Sequence, residues 1–185
     1  MKYNKSKQTT PGLVQIYYLV GFMGCGKTTF AEQLSETGFL HLSIDLLIAS
    51  HYGNIADIFE NEGEAKFRVV ESIMLHEILE RAAKLKRKKD YIESDLLVID
   101  CGGGIFESAK NYIIMRKYGG QVIFIDTPFD VCYERIANDP NRPNAILRTK
   151  DELRELYDRR RSVYQLYADK TISLSNSHII QFNKQ

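Results

Sequence analysis

Short apolar runs of strand length alternate along this chain with longer stretches whose apolar residues recur at helical spacing. Residues 14–20, 39–44, 96–99 and 122–125 are rich in Val, Ile, Leu, Tyr and Phe, the pattern of strands buried on both faces. Residues 28–35 form a short helical pattern that ends at Gly38. The stretch 64–89 sets Phe67, Val70, Met74, Ile78, Ala82 and Leu85 along one face, as a packed helix requires. Thr149, with Glu152 three positions later, predicts a capping box for a helix running to about Asp169. Thr127-Pro128 starts another that ends near Ala137. Alternation of this kind predicts an α/β fold: a parallel sheet with right-handed crossovers, helices on both faces, and ligands at the carboxyl ends of the strands.

The polar residues 1–12 read as a loose leader, and residues 13–185 as one domain. Asn138-Asp-Pro-Asn-Arg-Pro-Asn144 carries two prolines between helical patterns and reads as a loop. The basic run 84–89 reads as a solvated helix end favoured by the macrodipole.

Composition narrows the function classes. Lys and Arg number 25 against 24 Asp and Glu, so no overall field recruits nucleic acid or an anionic membrane, and any anion recognition must be local. Cys25, Cys101 and Cys132 are odd in number and lack metal-ligand spacing, which points to neither a disulfide framework nor a zinc site. The apolar run 14–20 is too short to span a bilayer. A soluble, cytoplasmic, monomeric protein is expected, with no nucleic-acid or membrane partner.

Gly21-Phe-Met-Gly-Cys-Gly-Lys27-Thr28 matches G-x-x-x-x-G-K-[ST], after an apolar strand and before a helix. Glycines at 21, 24 and 26 let backbone N–H groups turn around phosphates, and the helix N-terminus adds positive potential. Lys27 reaches the β- and γ-phosphates, and Thr28 supplies a hydroxyl for Mg²⁺. Gly21, Gly24, Cys25, Gly26, Lys27, Thr28 and Thr29 are therefore the nucleotide-binding candidates, with ATP or GTP as ligand. Cys25 reads as a small spacer, with an oxidation-sensitive thiol as the alternative.

Acceptor candidates come from several segments. Arg68 and Glu71 stand three apart on the long helix, where the carboxylate can orient the guanidinium. Arg160 interrupts the stripe Leu153, Leu156, Val163, Tyr167, and a charge there needs a partner or a ligand. Two inward arginines suit a bidentate grip on a carboxylate or phosphate. Gly102, Gly103 and Gly104 end the third strand, where bare backbone admits a substrate. Asp45 ends the second strand and can accept a proton from an attacking hydroxyl, with helix capping as the alternative. Leu96-Leu-Val-Ile-Asp100 has the hydrophobic-run-then-aspartate form of a metal-organising acid, which pairs Asp100 with Thr28 as metal candidates.

Taken in order, the stretch 21–29, Asp45, Ile55-Ala-Asp-Ile-Phe59, Gly63-Glu64, Phe67-Arg68, Glu71, the triple glycine, Arg142-Pro143, and Arg160 with Tyr164 and Ala168-Asp169 resemble the shikimate kinases, in the nucleoside monophosphate kinase branch of P-loop proteins. The resemblance implies a three-layer P-loop kinase fold with a central parallel sheet of about five strands and a lid over about 138–149. It implies transfer of the ATP γ-phosphoryl group to the 3-hydroxyl of shikimate, a step toward aromatic amino acids, with Mg²⁺ as cofactor. By the same resemblance Asp45, Arg68, the triple glycine and Arg160 hold shikimate, with both arginines on its carboxylate. Asp45, Lys27 and Arg142 are the catalytic set, Arg142 belongs to the lid over ATP, and Arg135 stacks on adenine. A kinase of another small hydroxy acid such as gluconate, and a catalytically silent nucleotide-binding relative, are the alternatives.

The chain departs from that pattern in places. The family's Asp-x-Asp reads Ser43-Ile-Asp45 here, its Ser/Thr-Thr pair before the triple glycine reads Asp100-Cys101, and its Arg-Pro-Leu-Leu reads Arg-Pro-Asn-Ala. The stretch 83–95 reads as a longer connection, and the tail from Lys170 as too short for a final strand plus a closing helix.

Overall fold

The computed structural model describes residues 14–87, 96–137, 139 and 147–173, with backbone only for 85–87. Five strands, β1 (Gln15–Val20), β2 (Leu40–Ser43), β3 (Leu96–Asp100), β4 (Gln121–Ile125) and β5 (Lys170–Ile172), form one parallel sheet in the order β2-β3-β1-β4-β5. The helices α1 (Lys27–Glu36), α2 (Ile44–Tyr52), α3 (Ile55–Arg87), α4 (Ala109–Tyr118), α5 (Phe129–Ile136) and α6 (Lys150–Tyr167) cover its faces, giving the three-layer α/β architecture that the alternation predicts. The central strands are the most apolar: Leu19, Val20, Val98, Ile99, Ile123 and Ile125 have no exposed surface. Leu19 pairs with Asp100, Asp100 with Ser43, and Val20 with Phe124, so the carboxyl ends of β1 to β4 finish level on one edge of the sheet.

Three elements differ from expectation. The apolar run placed at 39–44 stops one residue early. Ser43 is the N-cap of α2, its Oγ accepting the Leu46 N–H at 3.4 Å, and Ile44 turns into the core as the first helical residue. Because α2 opens on the largely apolar run Ile44 to Ala49, interrupted only by Asp45, its periodicity is hidden behind the strand it follows. The long helix begins at Ile55, nine residues before the predicted start, and breaks at Gly63, whose φ of 82° few other residues adopt. α4 carries no clear apolar stripe, burying only Asn111 and Met115.

The tail beyond Asp169 does supply a strand. β5 has one buried residue, Ile172, too little to register as a hydrophobic run, and it is fixed from outside its own sequence. Asp169 receives a forked pair of bonds from Arg116 at 2.8 and 3.0 Å, accepts the Val122 N–H at 2.8 Å and donates its own N–H to the Val122 carbonyl at 2.8 Å. Residues 174–185, the leader 1–12 with residue 13, and residues 88–95 of the longer connection lie outside the described residues. α6 opens with the expected capping box: Thr149 Oγ1 accepts the Glu152 N–H, and Glu152 Oε2 accepts the Thr149 N–H at 2.7 Å. Among the described residues no helix is long and apolar enough to cross a membrane.

Candidate active site

The glycine-rich loop joins β1 to α1 at the level edge of the sheet. Gly21 has φ 151°, and a Cβ there would lie 2.7 Å from the Ile125 carbonyl and 2.8 Å from Cys25 Sγ. Gly26, at φ 98°, forms the N-cap of α1. Lys27 is nearly buried and curls back on its own loop, donating to the carbonyls of Gly21 at 3.1 Å and Phe22 at 3.2 Å. Burial opposes the charge on Lys27, but Cys25 and the Asp100 and Asp45 carboxylates more than offset it, so the ammonium persists well above neutral pH. Cys25 is fully buried, and burial pushes its thiol pKa up against the pull of Lys27. That is the state of an inert spacer and not of a reactive thiolate. Thr127 Oγ1 ties the loop to the end of β4 through the Cys25 carbonyl at 2.8 Å, and Arg135 donates to the Gly24 carbonyl at 3.0 Å. Thr29 is exposed at the start of α1.

Thr28 and Asp100 meet across the sheet edge, with Thr28 Oγ1 donating to Asp100 Oδ2 at 2.6 Å. Ser43, the departure from the Asp-x-Asp pattern, caps α2 beside them. Asp45 stands in the first turn of α2 and not at the end of a strand, and the capping role weighed for it belongs to Ser43. Its Oδ1 lies 3.0 Å from the place a Cβ would take on Gly102.

The acceptor side is assembled from charged side chains on separate elements. Arg68 donates to Glu71 Oε2 at 3.0 Å and to Glu64 Oε1 at 2.8 Å. Arg160, buried in α6 with Leu153, Leu156, Tyr157 and Tyr164, donates from Nε to Glu107 Oε1 at 2.8 Å, and its Nη2 lies 3.8 Å from the same Glu64 Oε1. Two guanidinium groups from different helices thus converge on one carboxylate oxygen. Arg148 approaches the other oxygen of Glu64 at 3.7 Å, and Arg159 grips Glu107 through both oxygens. Glu71 has no exposed surface, and burial raises its pKa to about 7 despite the Arg68 guanidinium, with Asp45 adding to the rise. Arg68 Nε and Glu71 Oε1 are buried without a hydrogen-bond partner, an arrangement that a bound polar ligand would relieve.

The triple glycine, expected to admit a substrate, is also approached closely by the site's own groups. A Cβ on Gly102 would fall 2.3 Å from Glu71 Oε1, one on Gly103 3.2 Å from the Met23 nitrogen in the glycine-rich loop, and one on Gly104 2.3 Å from the Arg68 guanidinium. Tyr164 donates to the Gly103 carbonyl from behind. A cleft remains in front, lined by Gly103, Gly104, Glu107, Arg159, Arg160 and Tyr164. Glu107 and Arg159 carry no local signal in the sequence, since nothing near residue 107 announces that it faces a helix 53 positions away. Arg142 and the rest of the loop 138–146, apart from Asp139, lie outside the described residues.

Comparison with known proteins agrees with this geometry. The profile of a family described as shikimate kinase matches residues 23–184. The shikimate kinase of Macrococcus caseolyticus is 40% identical over 162 residues, covering 86% of either chain, and that of Persephonella marina is 35% identical over 149 residues, covering 80% of this chain and 82% of its own. Among solved structures, the shikimate kinase of Acinetobacter baumannii in complex with shikimate superposes with a TM-score of 0.74 at 32% identity, covering 90% of this chain and 87% of the other. The enzyme of Aquifex aeolicus gives 0.66 at 30% identity, covering 86% and 85%.

Proposed function

This chain belongs to the shikimate kinase family and transfers the γ-phosphoryl group of ATP to a hydroxyl of shikimate, and we propose that Arg68 and Arg160 hold the acceptor's carboxylate while the glycine-rich loop holds the nucleotide. The observation that carries the assignment is the convergence of both guanidinium groups on Glu64 Oε1, at 2.8 and 3.8 Å, beside Gly104 and the loop. Planar forks from two helices define an orientation as well as a charge, and orientation is most of what a phosphoryl-transfer enzyme contributes. In this reading Asp45 accepts the proton of the attacking 3-hydroxyl, and Lys27 exchanges its two backbone carbonyls for phosphate oxygens. Gly21 to Thr29 surround the phosphates, Arg135 stacks on adenine, and Arg142 belongs to the lid.

Mg²⁺ fits the residues present. Thr28 and Asp100 offer hard oxygen atoms 2.6 Å apart, and among the described residues no group of three or more His, Cys, Asp or Glu side chains forms a dedicated cage. So sparse a set suits a metal held jointly with nucleotide phosphates. Thr28 and Asp100 would hold it, and its contribution is to neutralise charge on the phosphates. The three buried free thiols support a reducing, cytoplasmic setting, where we take the enzyme to act as a monomer.

The test is an ADP-release assay with and without shikimate on the parent and on Asp45→Asn. Release that depends on shikimate and collapses in the variant is expected. A variant with undiminished kcat would remove Asp45 from proton transfer.

A further inference from the structure

We propose that Glu107 is a resident competitor of the acceptor: it occupies Arg160 in place of the substrate's carboxylate, and passes wholly to Arg159 when that carboxylate arrives. The proposal rests on the reading that Arg160 grips the acceptor. Glu107 ends the short 3₁₀ turn, Ile105–Glu107, directly after the triple glycine, and it lines the cleft together with both arginines.

Two features of its bonding support an exchange. First, Arg160 is only 6% exposed along its side chain, and a guanidinium so buried needs an anion at all times. Glu64 is shared with Arg68 and stands 3.8 Å off, so the close partner at rest is Glu107, at 2.8 Å. Second, Glu107 has another seat already made. Arg159 donates to Oε2 at 3.0 Å and to Oε1 at 3.2 Å, whereas Arg160 supplies one bond from Nε. Giving up Arg160 therefore leaves Glu107 with a complete bidentate partner on the outer side, where Arg159 is 61% exposed and water can accommodate the shift. Burial works against the charge on Glu107, but Arg160 and Arg159 more than offset it and hold the carboxyl below its usual range, so it competes as a full anion at neutral pH.

The consequence is selection by charge. A carboxylate that enters can replace Glu107 on Arg160 like for like. An uncharged ligand would leave the buried guanidinium without an equivalent partner if it pushed Glu107 aside, so it is refused. Removing Glu107 therefore strengthens binding of the acid, which competes with it for Arg160, and leaves that of a neutral analogue, which never displaces it, unchanged.

Steady-state kinetics on shikimate and on its methyl ester test this. Glu107→Gln should lower KM for shikimate by roughly three- to tenfold, the scale of one partly exposed charge contact, and should not lower KM for ATP. Arg159→Ala should raise KM for shikimate by a similar factor, because Glu107 then has Arg160 as its remaining arginine. The preference for acid over ester should rise in Glu107→Gln and fall in Arg159→Ala. A KM for shikimate that stays level or rises in Glu107→Gln overturns the proposal, since Glu107 would then merely orient Arg160 or stand by. An equal fall for the ester overturns it too, because the cleft would simply have opened. Arg160→Lys separates the premise from the inference: a KM for shikimate within about threefold of the parent refutes the carboxylate assignment itself. A large rise there, with no fall in Glu107→Gln, refutes the exchange alone.

Discussion

Lys27, on the nucleotide side, directs its charge to two carbonyls of its own loop, five and six residues away, whereas Arg160, on the acceptor side, is held by a carboxylate 53 residues distant. The first arrangement is made of backbone. Its groups are fixed by positive-φ glycines and by packing against β4, and the hydrogen bonds of Lys27 go to carbonyls, with the Asp100 and Asp45 carboxylates supporting its charge from nearby. The second is a network of ions: Arg68, Arg148, Arg159 and Arg160 against Glu64, Glu71 and Glu107, paired within α3 and across elements that meet only in the folded chain. A phosphate is received by a cradle shaped in advance, and a carboxylate is received by exchange for a resident acid. One half of the site should therefore fail through lost charge stabilisation, and the other through lost affinity.

The largest effect expected is from Lys27→Ala, which should lower kcat by about a hundred- to a thousandfold in an ADP-release assay while its melting temperature changes little. A large loss of stability instead would mean that the loop, too, depends on ion pairing. Arg160→Lys should raise KM for shikimate by about tenfold or more with KM for ATP nearly constant, because an ammonium cannot form the planar fork. Asp100→Asn should raise the Mg²⁺ concentration for half-maximal rate by about tenfold, and Ser43→Asp should restore part of it, since Ser43 is the register partner of Asp100 and Asp caps a helix as well as Ser does. Unchanged magnesium dependence would make Thr28–Asp100 a purely structural bond.

The triple glycine separates the halves more finely. Gly104→Ala presses on the Arg68 guanidinium and should raise KM for shikimate by roughly threefold, while Gly103→Ala presses on the Met23 nitrogen and should act on KM for ATP. The same parameter moving in both variants would erase the distinction between the two sides. The smallest effect is in pH. Glu71 has its folded pKa raised to about 7, so its contribution to stability is complete below its ordinary value near 4.5 and is lost as pH rises through about 7. Between pH 5 and pH 8 the parent should lose a few degrees of melting temperature relative to Glu71→Gln. A difference that does not vary with pH would place the proton elsewhere.

What could be read in advance follows the same division. The loop from Gly21 to Thr28 is contiguous, so its glycines, lysine and hydroxyl are visible together. Arg160 shows itself by interrupting an apolar stripe, and Asp100 by ending a hydrophobic run. Of the acids that complete the acceptor side, Glu71 shows itself by standing three residues from Arg68 and Glu64 by its place in the family pattern, whereas Glu107 leaves no such trace, because it looks like any surface glutamate until the 3₁₀ turn and α6 are brought together. Among the elements, β1, β3 and β4 announce themselves by burial, whereas β2, with Leu40 exposed and His41 and Leu42 half-buried, shows only as an apolar run in the sequence. α2 does not announce itself, since it is apolar on most sides and its start rests on a single Ser43 bond. β5 is fixed by Asp169 and Arg116 and not by its own residues, and no hydrophobicity pattern reports that.

The sheet order has a consequence for synthesis on the ribosome. β1 emerges first, yet both of its neighbours, β3 and β4, are encoded after residue 95, and β2 joins the sheet only through β3. A nascent chain that has reached α3 carries the whole glycine-rich loop beside two strands with unpaired edges. It has neither the Asp100 partner of Thr28 nor the β4 carbonyl against which Gly21 packs. Nucleotide would meet only part of its cradle at that stage, and the edges of β1 and β2 stay open to wrong pairing until β3 is made.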